Sequence, residues 1–227
     1  MASAGRGPAR PRPPASITLA DLTEHDLVDE GTYRTLHFED LDLTGREADA
    51  VEFDQCRFSG VDLGLSVFER ASFVDCLVER STLANLRAEG SSLIRVQVTA
   101  SRLTGLQWTK GAVRDTVFRD CRLDLSSFRF SKFSSVIFDR CNLRQADFQN
   151  ADLRGARFVE CELMAAQFSG AKMDGTSFVT CVLDGIGGVT SLRGAQVGSA
   201  DAVALLRTLA GALGITIIDD DGQGDRT

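Results

Sequence analysis

The sequence has few of the residues and motifs on which enzymes depend. It contains only two histidines, His25 and His37. It has no metal-binding HExxH, no GxSxG, no phosphate-binding GxxxxGK(S/T) and no dinucleotide-binding GxGxxG followed by an acidic partner. These absences indicate a protein that is not an enzyme and that uses no cofactor.

Long apolar runs and dispersed prolines are also missing. No apolar stretch approaches the length of a membrane span, and residues 1–14 do not resemble a secretion signal, so we expect a cytoplasmic protein. All four prolines lie within residues 1–15, together with Arg6, Arg10 and Arg12. Because this composition cannot build a core, it predicts a disordered tail over residues 1–15.

What the sequence does have is a five-residue repeat. From Leu36 to Asp184 the chain divides into consecutive units of five without an insertion or deletion, and the third residue of every unit, from Phe38 to Leu183, is apolar. The residue two positions before most of these centres is small or slim. A fixed period over so long a stretch is typical of repeat architectures.

The period itself restricts the fold. Five residues match neither the helical period of about 3.6 nor the alternation of a half-buried strand. They fit a coil with flat sides and tight turns. In such a coil the centre and the residue two before it point inward, and the other three positions face water or turn the corner.

Several units resemble a known signature. Residues 141–145, 146–150 and 151–155 read CNLRQ, ADFQN and ADLRG, which is similar to the A(D/N)LXX signature of the pentapeptide repeat family. The resemblance implies an all-β solenoid, a right-handed quadrilateral parallel β-helix in which four units complete one coil. The unbroken frame then predicts about seven to eight coils.

The six cysteines give an independent check on a four-sided coil. Each lies two residues before a centre, and the spacing of twenty residues predicts one inward column of four and the start of a second; the two sets are Cys121, Cys141, Cys161, Cys181 and Cys56, Cys76. A metal site or disulfides are alternative readings. Zinc prefers thiolates that converge, whereas a column presents them in parallel, so we expect buried free thiols and no metal. Such thiols suit a reducing cytoplasm.

The ends of the chain depart from the repeat. We predict an N-terminal cap over residues 16–35, the β-helix over 36–190, a C-terminal cap with a short α-helix over 191–218, and an acidic tail over 219–227. The helix is expected to begin with Ser199 as its N-cap and to stop at Gly214, followed by a strand at residues 215–218. Its apolar positions are Val203, Leu206, Leu209, Ala210 and Leu213, of which Leu206, Leu209 and Leu213 are candidate cap or dimer contacts.

Charge is unevenly distributed along the repeat. Residues 38–75 hold ten acidic and three basic side chains, a net charge of −7. Residues 76–145 hold six acidic and twelve basic side chains, a net of +6, and residues 146–185 hold six and three, a net of −3. The candidate partner-binding acidic patch is Glu47, Asp49, Glu52 and Asp54, and the candidate basic patch is Arg102, Arg119, Arg122 and Arg144.

Two kinds of binding function follow. The resemblance implies a non-enzymatic interaction scaffold that imitates DNA and binds or protects DNA gyrase or topoisomerase IV, as the family members linked to quinolone resistance do. The alternative is a generic scaffold for an unrelated protein partner, or for a polyanion at the basic middle coils. Direct nucleic-acid binding is not favoured, and the resemblance leaves open a monomer or a homodimer formed through the C-terminal ends.

Overall fold

The computed structural model describes residues 7–217, apart from the side chain of Ala204. The predicted N-terminal tail therefore falls partly, and the acidic tail 219–227 wholly, outside the described residues. Sixteen strands and two helical segments lie within this range: β1 Thr18–Leu19, β2 Thr32–Arg34, β3 Leu36–Glu39, β4 Glu47–Asp49, β5 Glu52–Asp54, β6 Arg57–Ser59, β7 Val67–Glu69, β8 Ser72–Val74, β9 Leu77–Glu79, β10 Ser92–Ile94, β11 Gln97–Thr99, β12 Ala112–Arg119, β13 Lys132–Asp139, β14 Arg157–Val159, β15 Ser177–Val179, a 3₁₀ helix Val189–Leu192, β16 Gln196–Val197 and α1 Ser199–Ala212.

The predicted four-sided parallel β-helix is confirmed. Residues twenty apart lie opposite one another on neighbouring parallel strands, as Phe118 does with Phe138 and Phe138 with Phe158. We call the four sides face 1 to face 4, after the columns of centres that begin at Phe38, Leu43, Ala48 and Phe53. Faces 1 and 4 carry most of the regular strands, whereas face 2 is joined through single bridges such as Thr82 to Arg102.

The solenoid has about nine turns, more than the seven to eight predicted. The reason is that the flanking segments add strands to the sheet at both ends. At the N-terminal end β1 pairs with β3, with Thr18 opposite Leu36. At the C-terminal end β16 pairs with β15, with Gln196 opposite Ser177. That last step is nineteen residues, one short of the repeat, which is why the five-residue frame does not reveal it.

The interior is a set of stacked side-chain columns. On face 1 the rings of Phe118, Phe138 and Phe158 stack with centroids 4.9 and 5.0 Å apart, and on face 3 Phe148 stacks on Phe168 at 5.4 Å. These separations are close to the roughly 4.8 Å between paired strands, so the stacking of rings and the pairing of backbones are satisfied together. All these rings are buried.

The middle of the rod is packed differently. Between Phe73 and Phe118 the centres are smaller, apart from Trp108, which is 2% exposed and lies 6.2 Å from Phe73 between ring centroids. Leu86 and Ala88 exchange the usual sizes of the two inward positions, and both are fully buried. A side chain at Gly111 would meet Trp108 Nε1 at 2.6 Å, so the bulk of Trp108 requires a glycine there.

The N-terminal segment lies along the outside of the rod, where residues 7–15 of the predicted disordered tail make hydrogen bonds with the coils. We call residues 7–17 the N-terminal strap. The Ala9 N–H donates to Asp115 Oδ1 at 3.1 Å, the Arg12 N–H donates to Asp75 Oδ1 at 3.0 Å, and Gln55 Nε2 donates to the Arg12 carbonyl at 3.2 Å. Composition alone predicted disorder because it does not report contacts with residues that are distant in sequence.

The C-terminal helix differs from prediction in its cap and its buried face. Gly198, not Ser199, is the N-cap, and no side chain caps the helix. Leu205 and Ala210 face the core, whereas Val203, Leu206, Leu209 and Leu213 are exposed. Gly214 ends the helix with φ +72° as predicted, but residues 215–217 form no strand.

Candidate partner-binding surfaces

The four residues of the acidic patch lie around one corner of the coil. Glu47 and Asp49 flank Ala48 on face 3, and Glu52 and Asp54 flank Phe53 on face 4. The two glutamates are exposed and the two aspartates are half-buried. The structure therefore brings these carboxylates together on two adjacent sides of the same coil.

Asp49 is the most constrained member of the patch. Its N–H donates to Asp29 Oδ1 at 2.8 Å, and its Oδ2 accepts a hydrogen bond from Arg70 Nη2 of the next coil. Arg70 is mostly exposed, so water screens this ion pair. This ion pair still neutralises part of the negative charge of Asp49. Glu47, Glu52 and Asp54 therefore supply more of the negative charge of the patch.

A row of acidic residues runs along one column of the rod and extends beyond the four residues of the acidic patch. Asp29, Asp49, Glu69 and Glu89 occupy equivalent positions in four successive coils along face 3, with Asp49 opposite Glu69 in the strand register. We call these four residues the acidic ladder. The signal that could have found it is the spacing of twenty residues, with Asp29 lying in what was read as a cap.

The acidic ladder is only partly neutralised. Arg70 pairs with Asp49, and Lys110 Nζ lies 2.6 Å from Glu89 Oε1. Within residues 7–217 no ion pair joins Asp29 or Glu69 to a basic side chain. With about 4.8 Å between coils, the ladder presents carboxylates at regular intervals along the N-terminal part of the rod.

The basic patch is largely engaged in ion pairs. Arg119 Nε lies 2.8 Å from Asp139 Oδ2, Arg144 Nε lies 3.0 Å from Glu162 Oε2, and Arg122 Nε lies 4.0 Å from Asp124 Oδ1. Arg102 is opposite Arg122 one coil earlier on face 2. The four arginines are therefore neighbours, as expected, but carboxylates are interleaved among them and the surface is mixed in charge.

The six cysteines are buried free thiols arranged in the two predicted columns. Burial, together with the neighbouring Cys56 thiol, raises the pKa of Cys76, and hydrogen bonding to Cys121 and Cys161 with burial raises the pKa of Cys141. Within residues 7–217, no group of three or more His, Cys, Asp or Glu side chains is arranged to hold a metal ion. The same residues contain no helix long and apolar enough to span a membrane.

A model of the pentapeptide repeat region matches residues 91–168, about a third of the chain. This chain carries a pentapeptide repeat region. The matched residues belong to one uninterrupted β-helix, which begins before residue 91 and continues beyond residue 168. No curated protein sequence matches the chain.

Several solved structures are similar to this chain. QnrB1, described as a plasmid-mediated fluoroquinolone resistance protein, is 20% identical, with 84% of this chain and 99% of that chain covered and a TM-score of 0.43. HetL, a pentapeptide repeat protein involved in heterocyst differentiation regulation from the cyanobacterium Nostoc sp. strain PCC 7120, is 14% identical, with coverages of 70% and 89% and a TM-score of 0.32.

The catalytic domain of a GH87 α-1,3-glucanase also matches at 10% identity, covering 74% of this chain and 48% of that chain, with a TM-score of 0.32. TM-scores below 0.5 describe a distant likeness, and no function is transferred from any of these structures. The pentapeptide repeat region is a scaffold, and its function has to be sought in the side chains on its surface.

Proposed function

We propose that this chain is a non-enzymatic, cytoplasmic protein-binding rod whose acidic N-terminal coils bind a basic surface of a partner protein, with DNA gyrase or topoisomerase IV as the most concrete partners. The observation that carries the proposal is the row of exposed carboxylates along the first coils. The acidic ladder and the patch residues Glu47, Glu52 and Asp54 share one region of the rod.

Long-range electrostatics favour this reading. A concentrated negative region on an elongated body steers association with a positively charged surface and fixes its orientation. Regularly spaced carboxylates along a rod also imitate the phosphates along DNA, although only over the first coils. The basic middle region limits the imitation to that end.

A polyanion bound at the middle coils is the weaker candidate. Three of the four arginines of the basic patch are already paired with carboxylates, which would have to be displaced or neutralised before phosphates could bind. Interleaved acids also repel a polyanion directly. The N-terminal coils are therefore the better candidate for the principal binding surface.

We further propose that the chain forms a homodimer through its C-terminal end. Val203 and Leu206 of α1 and the C-cap residue Leu213 are 73%, 57% and 75% exposed, so one side of the terminal helix presents an apolar surface to water. A second copy of the same helix would cover it symmetrically. This arrangement leaves the acidic coils free at the two far ends of the dimer.

The proposed partner contact is tested by direct binding with charge-reversed variants. Purified gyrase is immobilised, and the wild-type chain is compared with a variant in which Glu47, Asp49, Glu52 and Asp54 are all changed to lysine. A matched control changes Glu160, Glu162, Asp174 and Asp184 to lysine, which alters the net charge equally at the other end of the rod.

We expect the N-terminal reversal to weaken binding by at least about 100-fold and the control reversal by less than about tenfold. Affinity of the wild-type chain should fall as salt is raised, because exposed charges are screened. Equal losses in both variants, or no binding to gyrase or topoisomerase IV at all, would contradict the proposal.

A further inference from the structure

The N-terminal strap does not pair with the strands of the sheet. It crosses several coils on the outside of the rod. Pro8, Pro11, Pro13 and Pro14 lack an N–H, so the strap has few donors that require a strand partner. Its firm anchor is at the C-terminal side, where Thr18 N–H donates to the Thr35 carbonyl at 2.9 Å. Before this point in the chain, its hydrogen bonds within residues 7–217 are those with Gln55, Asp75 and Asp115. A space therefore remains between the strap and the rod.

This space is a cavity of about 490 Å³. It lies over the corner between faces 4 and 1, with a roof from the strap and a floor from the coils. Sites for small molecules typically measure roughly 300–1,000 Å³ and have mostly apolar walls with a few polar groups. The walls here fit that description: Pro11, Ile17 and Leu77 supply apolar surface, and Gln55, Arg57 and Gln97 supply polar groups.

The charges around the cavity favour an anion. Arg10 of the strap and Arg57 of the floor both line it. The one lining carboxylate, Asp75, is already engaged by two hydrogen bonds of 2.7 Å from Arg95 and by the Arg12 N–H. Its negative charge is therefore compensated, and Arg10 and Arg57 are the cationic side chains at the cavity wall.

Arg57 also has unused hydrogen-bonding capacity. Its Nη2 lies 3.3 Å from Glu79 Oε2, but its Nε is buried and has no acceptor among the described residues. The Arg57 side chain is 42% exposed and lines the cavity, so an oxyanion there would bind at the exposed part of the guanidinium. A carboxylate or sulfonate suits this position, because guanidinium groups bind planar and tetrahedral oxyanions with directed, charge-assisted hydrogen bonds.

We propose that the cavity under the N-terminal strap binds a small organic acid with an apolar body, whose anionic group is held by Arg57 while its body lies against Leu77 and the strap prolines. This site is separate from the proposed gyrase contact and does not depend on it. The strap acts as its roof, and the ligand enters along the open side of the corner.

The probe for the test is 8-anilinonaphthalene-1-sulfonate, which combines an aromatic body with an anionic group. It is titrated into the full chain carrying Leu206→Ser and Leu213→Ser, so that the exposed helix does not bind it. The test variant adds Arg57→Met. The matched control adds Arg157→Met, which removes the equivalent outward arginine of face 1 five coils away, beyond the strap.

We expect saturable binding of one probe per chain, weakened at least about tenfold by Arg57→Met and unchanged by Arg157→Met. Far-ultraviolet circular dichroism confirms that both variants keep the coil. Absence of saturable binding, or equal affinities for the Arg57 and Arg157 variants, would overturn the proposal. Because the readout is probe fluorescence and not gyrase binding, failure here is distinguishable from failure of the proposed function.

Discussion

At the scale of single residues, the centre of each five-residue unit determines how the coils stack. Phe138 is fully buried and stacks on Phe118 and Phe158, with ring planes within 6° of parallel. Its edge contacts Phe128 and Phe148 on the opposite side of the coil. One ring therefore links three coils and two faces.

Removing this ring should destabilise the rod strongly. Phe138→Ala is expected to lower the free energy of unfolding by about 3–5 kcal/mol, because it removes buried apolar surface and leaves a cavity. Phe130→Ala is the control, since Phe130 is 51% exposed at a corner and its loss should cost less than about 1 kcal/mol. Urea unfolding followed by circular dichroism measures both, and equal midpoints would contradict the stacking account.

Asp75 predicts a pH dependence of stability. Burial alone would raise the pKa of Asp75, but hydrogen bonds from Arg95 and the Arg12 N–H, with the charges of both arginines, hold it below its usual value. A lowered pKa in the folded chain stabilises it above the unfolded value of about 3.9, and this contribution is lost as pH falls through the folded pKa.

The comparison is between wild type and Asp75→Asn. At pH 7 the variant should be less stable by about 2 kcal/mol, since a charged, partly buried hydrogen-bond pair is lost. The difference should shrink as pH falls below about 4, where the carboxyl of the unfolded chain becomes protonated, and it should be lost as pH falls through the lower folded pKa. Asp184→Asn, at an exposed position, is the control. A difference that stays constant from pH 7 to pH 3 would show that the ion pair is not its cause.

The cysteine columns predict slow thiol chemistry. All six thiols are buried, so a reagent in solution cannot reach them in the folded chain. We expect a thiol-specific disulfide reagent to modify almost none of them in the native chain and all six after denaturation. Rapid modification of the native chain would mean that the coils open readily.

At the scale of elements, the sequence allowed the strands to be predicted better than the segments at either end. The spacing of twenty residues put Cys121 and Cys141 in one column and Asp42 opposite Asp62, because a fixed period transfers directly into strand register. The exterior charges followed from the same rule. The ion pairs between neighbouring coils, such as Asp49 with Arg70 and Glu89 with Lys110, were not predicted.

The end segments could not be read in this way. The strap contacts Asp75 and Asp115, which lie 63 and 106 residues away from their partners, and no local pattern reports such contacts. The helix carries apolar residues on more than one side, so periodicity could not decide that Leu205 and Ala210 would be buried and Leu206 exposed. Packing against the rest of the fold determines which side of the helix is buried.

The exposed side of α1 predicts the oligomeric state. We expect the chain to sediment as a dimer at micromolar concentration and the Leu206→Ser, Leu213→Ser variant to sediment as a monomer with an intact coil. Val179→Ser, which changes an exposed apolar residue of face 1, should leave the dimer unaffected. A monomeric wild-type chain at high concentration would contradict the proposed contact.

At the scale of the whole molecule, the rod has two different ends and a basic middle. The net charge of −7 for the chain does not describe a uniform surface, since it is concentrated in the first coils while the middle coils carry excess arginine. A partner with a basic groove should therefore bind the N-terminal end and orient the rod. That polarity is the central feature of the proposed function.

The most direct measurement is a DNA gyrase supercoiling assay, with and without a quinolone, in which the wild-type chain and the two charge-reversed variants are titrated. We predict that wild type and the Glu160, Glu162, Asp174, Asp184 reversal change supercoiling or protect it from the drug. The Glu47, Asp49, Glu52, Asp54 reversal should do neither. No effect of the wild-type chain at large excess over the enzyme, or equal activity of both variants, would contradict the account.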